Sequence, residues 1–271
     1  MRSSIALLAA TVAALVSAAT AGATVGSSAH GQLLQVRANT NESSNWFGYN
    51  IGSLERGDTL FNSVTGDWTV PTATAHTAGQ AEFSSDWIGI GGGCVDAACS
   101  VGDSTLIQTG TEQDVDATGA ASYSAWWELV PVTSVTITTM TVGPGDHMHA
   151  SIAELVPDSN LWTITLQDVT RGETFTQSVP YSSTHLTAEW IEETPLILGT
   201  DAGFAALPQL TSPVFDNATV NGAPAKLTAS EEIDLIDSSS NVIGAASAPD
   251  PDADGFNACT WATTCAAPTS G

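Results

Sequence analysis

Residues 147–166 read His147-Met148-His149-Ala150-Ser151-Ile152-Ala153-Glu154-Leu155, then Val156-Pro157-Asp158-Ser159-Asn160, then Leu161-Trp162-Thr163-Ile164-Thr165-Leu166. The two outer runs alternate apolar with small or polar side chains, which is the pattern of strands whose two faces meet different surroundings. The Pro-Asp-Ser-Asn run between them is typical of a turn. This stretch therefore predicts two antiparallel strands joined by a short connection.

Strand-like runs rich in β-branched residues and threonine recur along the chain from Asn45 onward. They include Trp46–Ile51, Thr59–Val70, Phe83–Ile90 and Ser134–Val142. Turn signals divide these runs, and none of them keeps a helical period over three turns. Many short strands at this spacing predict an all-β fold, either a sandwich or a barrel.

The first residues have the layout of a secretory signal peptide. A single positive residue, Arg2, precedes an apolar run that extends from Ile5 to about residue 16, and small residues follow. We expect residues 1–23 to be removed, with cleavage after Ala21 or Ala23. A membrane anchor is the alternative, but the apolar run is short for a bilayer span.

The remainder of the chain predicts one domain. Residues 24–43 are rich in Ser, Asn and Gly, and we expect a flexible N-terminal segment or a short pro-segment. Residues 44–271 are expected to form a single β-sandwich domain, whose tail from about residue 246 is an extended strap. After signal removal we expect a monomeric, secreted protein without membrane association.

The charge balance is unusual because basic residues are almost absent. The chain has 29 Asp and Glu against five Lys and Arg, a formal net charge of −24, yet only 13% of its residues are charged. Below about pH 4 most carboxylates are protonated, so the bases that would then repel one another are few. This pattern favours work in acid over a high-salt habitat, and it disfavours a nucleic-acid partner because there is no basic patch.

The four cysteines form two close pairs, Cys94 with Cys99 and Cys259 with Cys265. In an exported chain such pairs predict local disulfides. Zinc is the alternative, but no histidine lies at ligand spacing beside either pair. We expect no metal and no cofactor, and interpret the two histidines at 147 and 149 as the start of a strand.

Three segments place polar side chains among aromatic ones, and strand alternation assigns each to a face. The residues that share a face within each segment are Leu106, Gln108 and Gly110, then Ser124, Trp126 and Glu128, then Glu189, Ile191 and Glu193. Carboxyl groups between aromatic side chains are costly to bury without a purpose. Each segment alone has an ordinary explanation, as a turn cap or a solvated face, but the three together favour a functional site.

The same segments carry a resemblance to a known family. The motifs are Asn45-Trp46-x-Gly48, Val64-x-Gly66-x-Trp68-x-Val70-Pro71, Trp87-Ile88-Gly89-Ile90, Leu106-Ile107-Gln108-Thr109-Gly110, Tyr123-x-Ala125-Trp126-Trp127-Glu128 and Ala188-Glu189-Trp190-Ile191-Glu192-Glu193. In order and spacing they resemble the glutamic peptidases, or eqolisins. The resemblance covers Asn45 to about Pro195 and continues more weakly to about Ile243.

This resemblance implies a two-sheet antiparallel β-sandwich of the concanavalin or lectin type and a secreted acid endopeptidase acting on proteins or peptides. It implies that Glu193 is the general base that activates water and that Gln108 stabilises the oxyanion. Trp87, Trp126 and Glu128 are expected to contact the substrate or to orient these two groups. An amide does not titrate, so its contribution survives acid, whereas histidine is protonated below about pH 5.

The chain departs from the family pattern at several positions. Gly91 stands where the family has Asp, Leu129-Val130 replaces Trp-Tyr, and Glu192 replaces Val. Two other functions are possible on a lectin-like sandwich. One is a glycoside hydrolase that uses Glu128 and Glu193, and the other is a non-catalytic carbohydrate-binding module in which Gln108 and Glu193 do not converge.

Overall fold

The computed structural model describes residues 28–29, 41–197 and 203–269. The expected signal peptide, residues 1–23, lies outside the described residues, as does most of the segment 24–43. Within the described ranges the chain forms strands and turns, and it has no helix long and apolar enough to cross a membrane.

The strands in chain order are β1 (Ser28–Ala29), β2 (Glu42–Ser43), β3 (Trp46–Gly52), β4 (Ser63–Thr69), β5 (Ala73–Thr74), β6 (Ser85–Gly91), β7 (Leu106–Val115), β8 (Ala121–Val130), β9 (Val135–Thr136), β10 (His147–Glu154), β11 (Leu161–Asp168), β12 (Glu173–Pro180), β13 (Thr187–Glu193), β14 (Leu196–Ile197), β15 (Gly203–Phe204), β16 (Gln209–Leu210), β17 (Val214–Val220), β18 (Ala223–Pro224), β19 (Glu232–Ile236), β20 (Val242–Ala246) and β21 (Phe256–Thr260).

One large sheet contains most of these strands, in the order β12-β11-β10-β4-β17-β21-β20-β19-β3-β13-β6-β7-β8-β9. Strands from its two halves contact each other face to face, with β4 against β6 and β10 against β7, so the sheet folds over into two layers. Neighbouring strands along this order are antiparallel. The predicted all-β sandwich is therefore confirmed.

The stretch at residues 147–166 forms the predicted pair of strands. β10 and β11 are antiparallel, with Ile152 opposite Ile164. Met148, Ala150 and Ile152 are buried, while the residues between them are only partly buried. The alternation in the sequence therefore corresponds to one face against the core.

A tryptophan from one layer packs on a glycine of the other. Trp190 of β13 lies over Gly66 of β4, where an added Cβ would approach its Cδ1 atom to 2.6 Å. The Trp190 Nε1–H donates to the carbonyl oxygen of Thr65 at 2.8 Å. Gly66 thus lets the two layers approach closely, because any side chain there would collide with the indole ring.

Residues 134–142 differ from the expected strand. Only Val135–Thr136 is extended and paired, and the chain then leaves the sheet. Ile137, Met140 and Val142 are all buried. Positions 137 and 140 differ in parity, so both side chains reach the core only where the two-residue period of a strand is broken.

The tail also contributes more than an extended strap. Phe256–Thr260 forms β21, which lies in the large sheet between β17 and β20. Phe256 and Ala258 are fully buried. The chain after residue 246 therefore completes the junction between the two layers.

Both predicted disulfides are present. Cys94 and Cys99 are bonded with their Cα atoms 4.8 Å apart, and Cys259 and Cys265 with theirs 5.5 Å apart. No free cysteine occurs among the described residues. The two cysteine pairs therefore act as local cross-links.

Candidate active site

The candidate site lies on the face of β3, β13, β6, β7 and β8 that is turned away from the opposing layer. Ile191 is opposite Trp87, Trp87 is opposite Gly110, and Gly110 is opposite Trp126. Side chains at these positions and at every second residue along each strand share this face. We call it the tryptophan face, and its alternation agrees with the predicted one.

Glu193 ends β13 on the tryptophan face and is fully buried. The indole Nε1–H of Trp87 donates to the Oε2 atom of Glu193 at 2.9 Å. The ring of Trp46, directly opposite Glu193 on β3, meets the ring of Trp87 edge to face at 4.8 Å. The Glu193 carboxyl is thus oriented by a donor that carries no charge and cannot titrate in the acid range.

Gln108 lies on β7 directly opposite Glu128 of β8. Its Nε2 atom donates to the Oε2 atom of Glu128 at 2.7 Å. The Oε1 atom of Gln108 is buried without a hydrogen-bond partner among the described residues. Glu128 therefore fixes the nitrogen end of the amide, and within the described ranges no donor reaches the buried oxygen end.

Gln108 and Glu193 lie on either side of Trp87. Gln108 is opposite Gly89 of β6, whereas Glu193 is opposite Ser85. Trp87 lies midway between these two positions on the same face. The structure therefore places both predicted groups on one face but offsets them by four positions of β6, with Trp87 between them, whereas Glu189 lies in line with Gln108 across Gly89.

Trp126, the remaining predicted residue, is tied to a serine that the sequence analysis did not single out. The Nε1–H of Trp126 donates to the Oγ atom of Ser85 at 3.0 Å, and that hydroxyl donates to the carbonyl oxygen of Thr111 at 2.9 Å. Ser85 precedes Trp87 by two residues, so the same alternation predicts it on this face. Trp46 likewise belongs to a quoted motif, but nothing in the sequence indicated that its ring would meet Trp87.

A second carboxyl occupies the other end of β13 on the same face. Glu189 is fully buried, and neither of its oxygen atoms has a well-oriented hydrogen-bond partner among the described residues. Burial raises the pKa of Glu189 well above its ordinary value. We therefore expect Glu189 to be protonated over the whole acid range.

Gly91, at the position where the family has Asp, has a backbone that excludes other residues. Its φ angle is +99°, and an added Cβ would lie 2.0 Å from the carbonyl oxygen of Thr105. A side chain would therefore be strained and would collide with the backbone of the loop before β7. The change removes a carboxyl from the edge of the site and lets this loop approach β6.

The histidines at the start of β10 belong to the other layer. His147 and His149 contact the two carboxylate oxygens of Asp67, at 3.1 Å and 2.5 Å. The hydrogen bond that His149 donates to Asp67 raises the pKa of His149. These residues form a local ion-pair cluster that is separate from the tryptophan face.

Comparisons with known proteins agree with this fold and these motifs. Residues 44–253 match the model of the Peptidase A4 family. Aspergillopepsin-2 of Aspergillus niger is 27% identical over 185 residues, which are 60% of this chain and 60% of that protein.

Two solved structures have a similar fold. The first is scytalido-glutamic peptidase with a transition-state analog inhibitor, which has a TM-score of 0.60 and 19% identity over 80% of this chain and 98% of that chain. The second is aspergilloglutamic peptidase from Aspergillus niger, which has a TM-score of 0.53 and 22% identity over 66% of this chain and 99% of that chain.

Proposed function

This chain belongs to the Peptidase A4 family, and from that membership we propose that it is an acid endopeptidase that cleaves proteins or peptides with Gln108 and Glu193 as its catalytic residues. One observation carries the assignment of residues. The two side chains share one buried face on opposite sides of Trp87, and the Trp87 indole holds Glu193 by a hydrogen bond of 2.9 Å. The two alternative functions, a glycoside hydrolase and a carbohydrate-binding module, have no comparable support.

Glu193 acts as the general base in this proposal. It removes a proton from a water molecule, whose oxygen attacks the carbonyl carbon of the peptide bond. The carbonyl oxygen becomes an oxyanion while the carboxyl holds the proton. Glu193 then delivers that proton to the departing nitrogen as the carbon–nitrogen bond breaks, so the carboxylate is regenerated.

Gln108 stabilises the oxyanion through its side-chain amide. One N–H bond of Nε2 is directed to Glu128, which leaves the other for the developing negative charge. The Oε1 atom of Gln108, which has no hydrogen-bond partner among the described residues, can accept a hydrogen bond from the substrate. One donor of this kind is typically worth about 10²–10³ in rate.

The chemistry suits acid because its two proposed groups do not depend on histidine. The shortage of bases in the chain limits its positive charge in acid. Gln108, Glu193 and Trp87 are all fully buried.

The test is cleavage of denatured casein across about pH 2–7 in the presence of pepstatin, which removes the contribution of aspartic peptidases. We expect Glu193→Gln and Gln108→Ala each to lower kcat by at least about 100-fold near pH 3–4, with unchanged circular dichroism. Matched controls are Gln177→Ala and Glu173→Gln on β12, which should keep full activity. Activity retained in both site variants, or confined to neutral pH, would reject the proposal.

We also propose that the chain is exported and acts outside the cytoplasm. The two disulfides support this, because such bonds form in oxidising compartments. N-terminal sequencing of protein from the culture medium should find a chain that begins at Gly22 or Thr24. A secreted protein that still begins at Met1 would contradict removal of the signal.

A further inference from the structure

A second pair of acidic side chains lies directly behind the candidate site. Asp86 of β6 and Glu192 of β13 are opposite each other, and both are fully buried. Their sequence neighbours, Trp87 and Glu193, point the other way, onto the tryptophan face. The two strands that carry the Trp87–Glu193 hydrogen bond therefore also carry an acid pair on their reverse side.

One glutamine of β7 joins the two carboxyl groups. The Nε2 atom of Gln113 donates to Asp86 Oδ2 and to Glu192 Oε2, each at 3.1 Å. The other oxygens, Asp86 Oδ1 and Glu192 Oε1, are buried without a partner among the described residues. Two carboxyl groups that share one amide in a dry core cannot both be ionised, so at least one proton belongs to the pair.

No basic side chain compensates this pair within the described part of the chain. Arg56 is paired with Glu231, and Arg171 with Asp146. Uncharged groups from the neighbouring elements face the pair, namely Ser84 beside β6, Thr111 of β7, Phe47 of β3 and Trp68 of β4. The Nε1–H of Trp68 donates to the hydroxyl of Thr111 at 3.0 Å.

The charged group that acts on the pair is Glu193, from the opposite face. Burial raises the pKa of Asp86 to about 7, and burial together with the neighbouring Asp86 and Glu193 raises the pKa of Glu192 well above its ordinary value. The pair is therefore protonated in acid and begins to lose protons near neutral pH.

We propose that Asp86 and Glu192 are positioning residues for the candidate site, which share a proton that holds β6 against β13 and so holds Trp87 against Glu193. Loss of this proton as the pH rises places like charges between the two strands and separates them. The pair then sets the upper pH limit of activity. This inference rests on the proposed function of Glu193.

Glu192 itself favours a role particular to this chain. It stands where the related family has Val, which would pack in the core without any need for a partner. A buried carboxyl in its place requires both Asp86 and Gln113 to satisfy it. Asp86, Gln113 and Glu192 therefore depend on one another. Their contact requires a proton, whereas an apolar contact at the same place would not.

The test compares wild type with Asp86→Asn, Glu192→Gln and the double variant, since an amide imitates the protonated carboxyl at every pH. We expect the alkaline limb of the kcat profile to move upward by about one pH unit or more, with KM and the acid limb unchanged. Glu154→Gln, a buried carboxyl of β10, is the matched control and should follow wild type. An alkaline limb that coincides in wild type and all three variants would overturn the proposal.

Hydrogen exchange supplies a readout that does not require activity. In wild type, the amides of β6 and β13 should lose protection between about pH 5 and 7, after correction for intrinsic rates, whereas Glu192→Gln should keep it. Equal loss in both would also overturn the proposal. If wild type cleaved no substrate, the proposed function would fail, and the exchange data would still decide whether the shared proton holds the two strands.

Discussion

Trp87 determines the geometry of the candidate site at the scale of single residues. Its ring lies between the positions of Gln108 and Glu193, packs edge to face on Trp46, and donates its one N–H to the Glu193 carboxyl. An indole donor keeps its proton throughout the acid range, so it orients the carboxyl in both of its charge states. This makes Trp87 the residue whose loss should disturb chemistry before it disturbs folding.

Trp87→Phe tests this role. A hydrogen bond to a charged group is worth about 1.5–3 kcal/mol, so we expect kcat at the pH optimum to fall about 10- to 100-fold. KM for the same peptide should change much less. Stopped or continuous assays with a fluorogenic peptide measure both constants.

The matched control is Trp261→Phe. Trp261 is exposed and stacks on His76, with ring centroids 3.6 Å apart. The Trp261→Phe variant should be at most less stable than wild type, and its kcat should be unchanged. A Trp87→Phe enzyme as fast as this control would show that the indole donor is not needed.

At the scale of strands, alternation alone predicted the composition of the tryptophan face. The two-residue period of each strand assigned Gln108, Trp126, Glu128 and Glu193 to faces that the observed registers bring together. Both disulfides followed equally directly from close cysteine spacing. These features are local, so a single sequence contains enough information to predict them.

Features that depend on pairing between distant segments could not be predicted in this way. Nothing in the sequence indicated that Gln108 and Glu193 would be offset by four positions of β6, with Trp87 between them. The link from Gln113 to Asp86 and Glu192 was equally invisible, because it depends on three registers at once. The strand expected over 134–142 failed for a related reason, since burial of Ile137 and Met140 outweighed β propensity.

At the scale of the whole molecule, the carboxyl groups make stability depend on pH. Burial raises the pKa of Glu232 to about 7, and burial with neighbouring acids raises that of Asp234 and of Asp254 to about 6. Each such group holds a proton in the folded state at a pH where the unfolded chain has lost it. These groups therefore make the stability fall as the pH rises from about 4 to about 7.

Thermal unfolding followed by circular dichroism from pH 3 to 8 checks this prediction. The fully buried Asp86, whose pKa burial raises to about 7, should lower the stability as the pH rises between about 4 and 7. The partly exposed groups add less because water screens them. An unfolding midpoint that rises from pH 4 to pH 7 would contradict this account.

The partly buried Asp67 acts in the opposite direction at the lowest pH, as do the carboxyl groups of Asp96, Asp116 and Asp237, whose pKa values hydrogen bonds also lower. Burial raises the pKa of Asp67, but hydrogen bonds from His149 and His147 outweigh it and lower that pKa overall. Its contribution is present above the unfolded value near pH 4 and disappears as the pH falls through the lowered one. The free energy of unfolding should therefore also decrease as the pH falls into strong acid.

The place of β21 in the large sheet has a consequence for how the chain is made. Because Phe256–Thr260 pairs with both β17 and β20, the hydrogen-bonded sheet is not continuous between the two layers until residue 260 has emerged from the ribosome. Contacts so distant in sequence form slowly. If the chain is exported as proposed, the continuous sheet should therefore form only after translocation is nearly complete.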